Sequence, residues 1–195
     1  MDIGGYHIEQ YFKDLLIKKG YNIENNKHDM DIINDMKEKL SFVSLNFNHD
    51  MDNYKSKIVE NQYKLKNGTN IILNNEEFKC TEALFDPSLL GLEFDGIDKI
   101  ILNSVRKSAA DLQTTLLQNI ILSGGNSMFS GLQARLHQEI SQLESEVVVS
   151  ADPEREYSAW LGGSVLGSLG VYDVLKIRKD EYYECGPSIV SRKCF

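Results

Sequence analysis

Asn119-Ile-Ile-Leu-Ser-Gly-Gly-Asn-Ser-Met-Phe-Ser-Gly131 runs directly into Leu132-Gln-Ala-Arg-Leu-His-Gln-Glu-Ile140. Ile120, Ile121 and Leu122 form the short apolar run of a buried parallel strand. Gly124 and Gly125 allow a sharp turn, or a backbone that lies against a ligand with no side chain between. Leu132, Leu136 and Ile140 then recur every four residues, as one face of a helix requires. A strand, a glycine turn and a helix start form a common nucleotide-binding shape, because backbone amides and the helix start face the ligand. Most adjacent glycine pairs are plain turns, so the pattern alone is weak evidence for a ligand site.

The surrounding composition narrows the classes. The 195 residues are enough for one or two domains with a core. With 42% hydrophobic and 26% charged residues, the chain has the makeup of a soluble globular protein. A formal net charge of −8 argues against a nucleic-acid binder or a basic membrane-surface protein. An anionic ligand would need locally placed donors. Cys80, Cys185 and Cys194 are odd in number and lack metal-site spacing, which fits a reducing compartment. His7, His28, His49 and His137 form no metal-binding pattern, so no metal site is expected. Neither a signal peptide nor a membrane span is expected.

Along the chain, Ile8, Tyr11, Phe12, Leu15 and Leu16 predict a helix from about His7 to Lys19, stopped by Gly20. Residues 22–31 are polar and Asn-rich and read as an exposed connection. A second helix is expected over Asp31–Leu40, with Lys37 and Glu38 on a solvated edge. Ser41–Phe47 has strand-like makeup, and residues 48–61 carry no clear signal. Gln62–Leu73, with Asn67-Gly68 at its centre, reads as a β-hairpin. A short helix is expected over Glu76–Leu84. The apolar loop Phe85–Gly96 either packs on its own domain or acts as an interaction plug. Ile97–Leu117 holds one or two helices, and Glu146–Ala151 is a second buried-strand candidate. Ser158–Leu169 is apolar and rich in small residues, which predicts close packing on another element. The tail from Asp180 to Phe195 reads as irregular.

Several stretches, in order, resemble actin. They include Asp31-Ile-Ile-Asn-Asp-Met-Lys-Glu-Lys-Leu40, Phe78-Lys-Cys-Thr-Glu-Ala-Leu-Phe-Asp-Pro-Ser-Leu-Leu-Gly91 and Leu122-Ser-Gly-Gly-Asn-Ser-Met-Phe-Ser-Gly131. Pro153-Glu-Arg-Glu-Tyr-Ser-Ala-Trp-Leu-Gly-Gly-Ser-Val-Leu166 and Glu184-Cys-Gly-Pro-Ser-Ile-Val-Ser-Arg-Lys-Cys-Phe195 complete the set. The resemblance covers the chain but only about the C-terminal half of the family's usual length. It implies an α/β protein holding one incomplete lobe of the two-lobed actin fold. The ribonuclease-H-like core would lack its leading strands, and an α+β outer subdomain would be inserted. The implied divisions are an outer subdomain over residues 1–85, a partial inner nucleotide-binding subdomain over 86–156, and closing helices over 157–195.

The resemblance also implies a site. Gly124, Gly125, Asn126, Met128 and Phe129 fall where the family holds an adenosine base and sugar. Lys37 and Glu38 fall on a Lys-Glu pair near adenine and ribose, and Gly5 lies close to the sugar. Phe85–Gly96 matches a loop that reaches neighbouring filament subunits, and Cys194 matches a reactive tail cysteine. The family's phosphate loops, metal-associated acids and water-positioning glutamine would lie before Met1, so no catalytic or metal residue is expected here. Asn34 and Glu156 stand where the family commonly has arginine and lysine. Glu156 puts an anion beside a polyanionic ligand, so ATP or ADP binding is expected to be weak or lost. Apolar faces of the closing helices would stay in water at a cost of about 25 cal/mol per Å².

Three readings follow. The chain is a truncated actin-like cytoskeletal protein of the cytoplasm that keeps the adenosine side of an ATP cleft without hydrolysing ATP. Alternatively, it is a filament-interacting module that caps or copolymerises with full-length actin, with actin or actin-binding proteins as partners. An active ATPase is the least supported of the three, because phosphoryl transfer depends on positioned charge that these residues do not supply.

Overall fold

Ile8, Tyr11, Phe12, Leu15 and Leu16 all turn inward from α1 (Gly5–Lys18), the expected helix begun two residues earlier. Its end is the predicted glycine stop. Gly20 has φ +105°, its amide donates to Ile17 O, and the Tyr21 amide donates back to Leu16 O. The computed structural model of the chain describes residues 3–54, 61–65 and 70–193. These fall into two compact units, Met1–Glu156 and Tyr157–Phe195.

In the first unit, α2 (Lys27–Leu40) begins four residues before the expected Asp31, inside the stretch read as an exposed connection. Local hydrogen bonding explains the difference. Asn26 Oδ1 accepts the Asp29 amide at 2.8 Å, and Asp29 in turn accepts the Glu24 amide at 2.8 Å. Polar caps compensate for a first turn with little apolar content. Ile33 and Met36 then bury the inner face of α2.

Ser41–Phe47 does not form the expected strand. It makes one isolated parallel bridge, Phe42 to Ser130, supported by the Val43 amide donating to Ser130 O at 2.8 Å. The chain then turns away because Ser44 Oγ accepts the Asn46 amide and Asn46 Oδ1 accepts the His49 amide. These bonds open α3 (Phe47–Tyr54), where the sequence carried no clear signal. The hairpin is present as β1 (Asn61–Lys64) paired antiparallel to β2 (Asn70–Leu73). The Asn67-Gly68 turn lies outside the described residues. Tyr21 Oη accepts the Ile72 amide at 2.9 Å and Lys19 Nζ donates to Ile72 O at 2.9 Å, which fixes β2 to the end of α1.

The expected short helix is α4 (Glu76–Glu82), whose Phe78, Cys80 and Thr81 are fully buried or nearly so. In the following loop Phe85 and Pro87 are buried, while Leu89, Leu90, Leu92 and Phe94 pack partly buried on the unit's own core. Ile97–Leu117 forms two helices, α5 (Ile97–Arg106) and α6 (Ala110–Leu117). Next come β3 (Ile120–Ile121), α7 (Leu132–Ser141) and β4 (Val149–Ser150), with β3 and β4 parallel. Leu132, Leu136 and Ile140 are all buried, as their spacing predicts.

The sheet departs from the expectation of a strand buried on both faces. Leu122, Val147 and Val149 face the core, but Ile121 is 73% exposed and Val148 is also exposed. An apolar run reads as doubly buried, and here only the face toward α7 is covered among the described residues.

A polar cluster ties α7 to α4. The Arg135 guanidinium is buried and donates to Glu82 Oε1 at 3.0 Å, Glu82 Oε2 at 3.3 Å, Glu139 Oε1 at 2.6 Å and Ser44 O at 2.5 Å. It also lies over the Phe85 ring at 4.7 Å. Burial pushes the Glu82 carboxyl above its ordinary range, outweighing the pull of Arg135.

The second unit contains α8 (Ser158–Ser168), α9 (Tyr172–Leu175), α10 (Lys179–Cys185) and α11 (Ser188–Lys193). The tail read as irregular is therefore largely helical. Glu181 accepts the Arg178 amide at the start of α10, and Lys193 Nζ reaches Glu181 at 2.8 Å across α10 and α11. Among the described residues, the close packing that composition predicts for α8 is not found, and the apolar side chains left in water that the resemblance implies are. Trp160 is 71% exposed, no α8 residue is buried, and a side chain at Gly162, Gly163 or Gly167 would meet nothing within 4 Å among the described residues. Small residues permit a close approach without supplying a partner. Cys194 lies outside the described residues.

Candidate functional site

Three separate stretches of the first unit converge on one cleft. Gly5 begins α1, Lys37 and Glu38 lie in the last turn of α2, and Ser123 to Phe129 connect β3 to α7. The bridge between Phe42 and Ser130 brings the second and third together. Gly131 makes that approach possible. It has φ +85°, and a side chain there would put Cβ 2.3 Å from Val43 O.

The Gly124 to Phe129 loop is built around its own hydrogen bonds. Gly124 has φ +90° and ψ 167°, a region essentially reserved for glycine. Its amide donates to Arg155 O at 2.8 Å, and its carbonyl accepts Ser127 Oγ at 2.6 Å. Arg155 Nε closes the loop by donating to Ser127 O at 3.0 Å. A 3₁₀ turn over Gly125–Met128 results. Added Cβ atoms at Gly124 and Gly125 would meet nothing within 4 Å among the described residues.

The cleft has a volume of about 650 Å³, within the range of roughly 300–1,000 Å³ usual for small-molecule sites. Gly5, Lys37, Glu38, Gly124, Gly125, Asn126, Met128 and Phe129, the eight residues named from the sequence, all line it. Ser123 and Glu156 line it as well. Gly5 faces Asn126 closely: a Cβ at Gly5 would stand 3.1 Å from Asn126 Oδ1 and 3.8 Å from Lys37 Nζ.

Electrostatics divide the cleft's capacities. Lys37 is buried and its Nζ donates to Asn34 Oδ1 at 2.6 Å, with Glu9 Oε2 at 3.7 Å. Asn34 Nδ2 donates to Glu38 Oε1 at 2.8 Å, so one amide ties Lys37 to Glu38. Glu9 and the bridging role of Asn34 were not legible in the sequence, although their positions one turn from Gly5 and from Lys37 and Glu38 were. Bare glycine backbone, Met128 and Phe129 suit a flat apolar group, and Asn126 and Glu38 suit amino or hydroxyl groups. Lys37 is engaged by Asn34 and Glu9, and two carboxylates, Glu38 and Glu156, share the lining. Among the described residues no group of three or more His, Cys, Asp or Glu side chains could hold a metal ion. No helix among them is long and apolar enough to cross a membrane.

A sequence model of the family described as Actin matches residues 1–195, the whole of this chain.

Proposed function

The chain belongs to the actin family, and from that premise we propose that its cleft keeps the adenosine side of an ATP-binding site. The observation that carries the reading is the convergence of all eight expected residues on one cavity of about 650 Å³. The base lies against the Gly124–Gly125 backbone and Met128, and the sugar hydroxyls meet Glu38 and the Gly5 side of the cleft. ATP and ADP bind weakly or not at all, and the residues of this chain perform no phosphoryl transfer. That chemistry needs charge aimed at the phosphates, whereas Lys37 is engaged by Asn34 and Glu9. The protein is thus an actin-like component of the cytoskeleton, working in the cytoplasm, with a nucleoside-shaped cleft. Calorimetry with ATP and magnesium, run beside a phosphate-release assay, tests this. Heat too weak to fit and no phosphate release are expected, and micromolar magnesium-dependent binding would contradict the reading.

A second reading rests on the second unit. Trp160, Val165, Leu166 and Leu169 of α8 and the residue after it are exposed apolar side chains, and such clustering suits a protein contact. In that reading the chain caps or copolymerises with full-length actin. Co-sedimentation over a range of filament concentrations decides it, since a chain that never pellets has no filament role. The Phe85–Gly96 loop contributes less than its composition suggests, because its apolar side chains pack on their own core.

A further inference from the structure

We propose that the cleft selects an unphosphorylated purine nucleoside over the corresponding nucleoside phosphates, so that affinity falls as phosphates are added. The inference rests on the nucleoside reading above and adds the charge state of the ligand. Among the described residues the lining offers one cation, Lys37, against two carboxylates, Glu38 and Glu156. Glu9 lies 3.7 Å behind that cation and offsets its charge. Arg155, outside the lining, keeps its charge but is held by two carbonyls, Ser127 O at 3.0 Å and Asp152 O at 2.9 Å. The start of α1 adds a fractional positive charge near Gly5, and Glu9, on the same helix, opposes it. The chain as a whole carries −8. A neutral nucleoside meets no electrostatic cost here, whereas each phosphate brings negative charge to a cleft whose lining, among the described residues, holds no uncommitted cation.

The test is a metal-free titration of the full chain with adenosine, AMP and ATP, followed by protein and ligand NMR at low and at high salt. At low salt ATP is expected to bind roughly three- to tenfold more weakly than adenosine, with AMP between them, and the gap should narrow as salt rises. Glu156 is exposed, so Glu156→Lys should leave the fold intact, as circular dichroism would check, and bring ATP level with or ahead of adenosine. If adenosine binds in the cleft but ATP binds as tightly or more tightly at low salt, the charge selection is overturned and the nucleoside reading stands. An unchanged ATP-to-adenosine ratio in Glu156→Lys also overturns the charge selection. If adenosine does not bind, both fall.

Discussion

Replacing Arg135 with methionine removes the cation that joins α7 to α4 while keeping most of the apolar stem. Four hydrogen bonds disappear, two of them to Glu82, which is itself buried. Removing one partner of a buried ion pair costs about 3–5 kcal/mol, because the remaining charge stays desolvated. The orphaned Ser44 carbonyl adds about 1 kcal/mol. The loss is a large share of the roughly 5–15 kcal/mol that holds a domain of this kind together. It should also depend on pH. Burial already raises the folded-state value of Glu82 above its unfolded value of 4.5. The native state therefore binds a proton that the unfolded state lacks within that window, and stability falls as pH rises through it. Without Arg135 the folded value climbs further, so the defect should be smaller near about pH 5 than near about pH 8. Urea unfolding followed by far-ultraviolet circular dichroism reads both effects. Amide exchange on α7 assigns them to the first unit, since Trp160 fluorescence reports the second. Adding Glu82→Leu should recover the stability to within about 1–2 kcal/mol of the parent, because an apolar pair can replace a buried ion pair. A loss under about 1 kcal/mol in Arg135→Met, or a double variant no better than the single one, would refute the reasoning.

Other consequences are more local. Glu77 is buried, its Oε1 has no hydrogen-bond partner among the described residues, and burial raises its carboxyl above the ordinary 4.5. Glu77→Gln should stabilise the chain by about 1 kcal/mol at neutral pH, with the gain shrinking as pH falls toward 4.5, measured as urea midpoints across that range. Gly131→Ala combines a positive φ with a clash against Val43 O and should cost about 2 kcal/mol or more. Retained native stability there would mean that the approach of Val43 to Gly131 is looser than described. Cys80 is fully buried with its thiol pushed up to about 12 by desolvation, so alkylation at neutral pH should mark exposed Cys185 long before Cys80. Mass mapping of the labelled peptides checks the order.

Local periodicity carried much of the fold. The spacing of Ile8, Phe12, Leu15 and Leu16, and of Leu132, Leu136 and Ile140, is itself the burial pattern found in α1 and α7. The start of α2 was not legible, because Lys27 to Met30 form helix through the cap at Asn26 and not through an apolar face. Ser41–Phe47 has the makeup of a strand but, among the described residues, has no pairing partner beyond one bridge, and pairing rather than composition makes a strand. Ile121 reads as buried and is exposed, since hydropathy reports what a side chain favours and not what covers it; for Trp160 composition alone points to packing, whereas the resemblance implies apolar faces left in water, and Trp160 is exposed. The cleft is a different case. Gly5, Lys37 and Asn126 are far apart in sequence, so no window of local pattern could join them, and only the likeness to actin did so. Arg135 left a local signal in its spacing to Glu139, but its bond to Glu82 is nonlocal and silent in sequence.

Titrating adenosine into the isotope-labelled full chain and mapping the amide shifts asks directly whether the cleft is a nucleoside site. Saturable shifts are expected together at Gly5, Lys37, Glu38 and Gly124 through Phe129, with β1 and β2 unmoved. Unmoved amides at those positions, or shifts gathered on α8 instead, would contradict a cleft that holds adenosine.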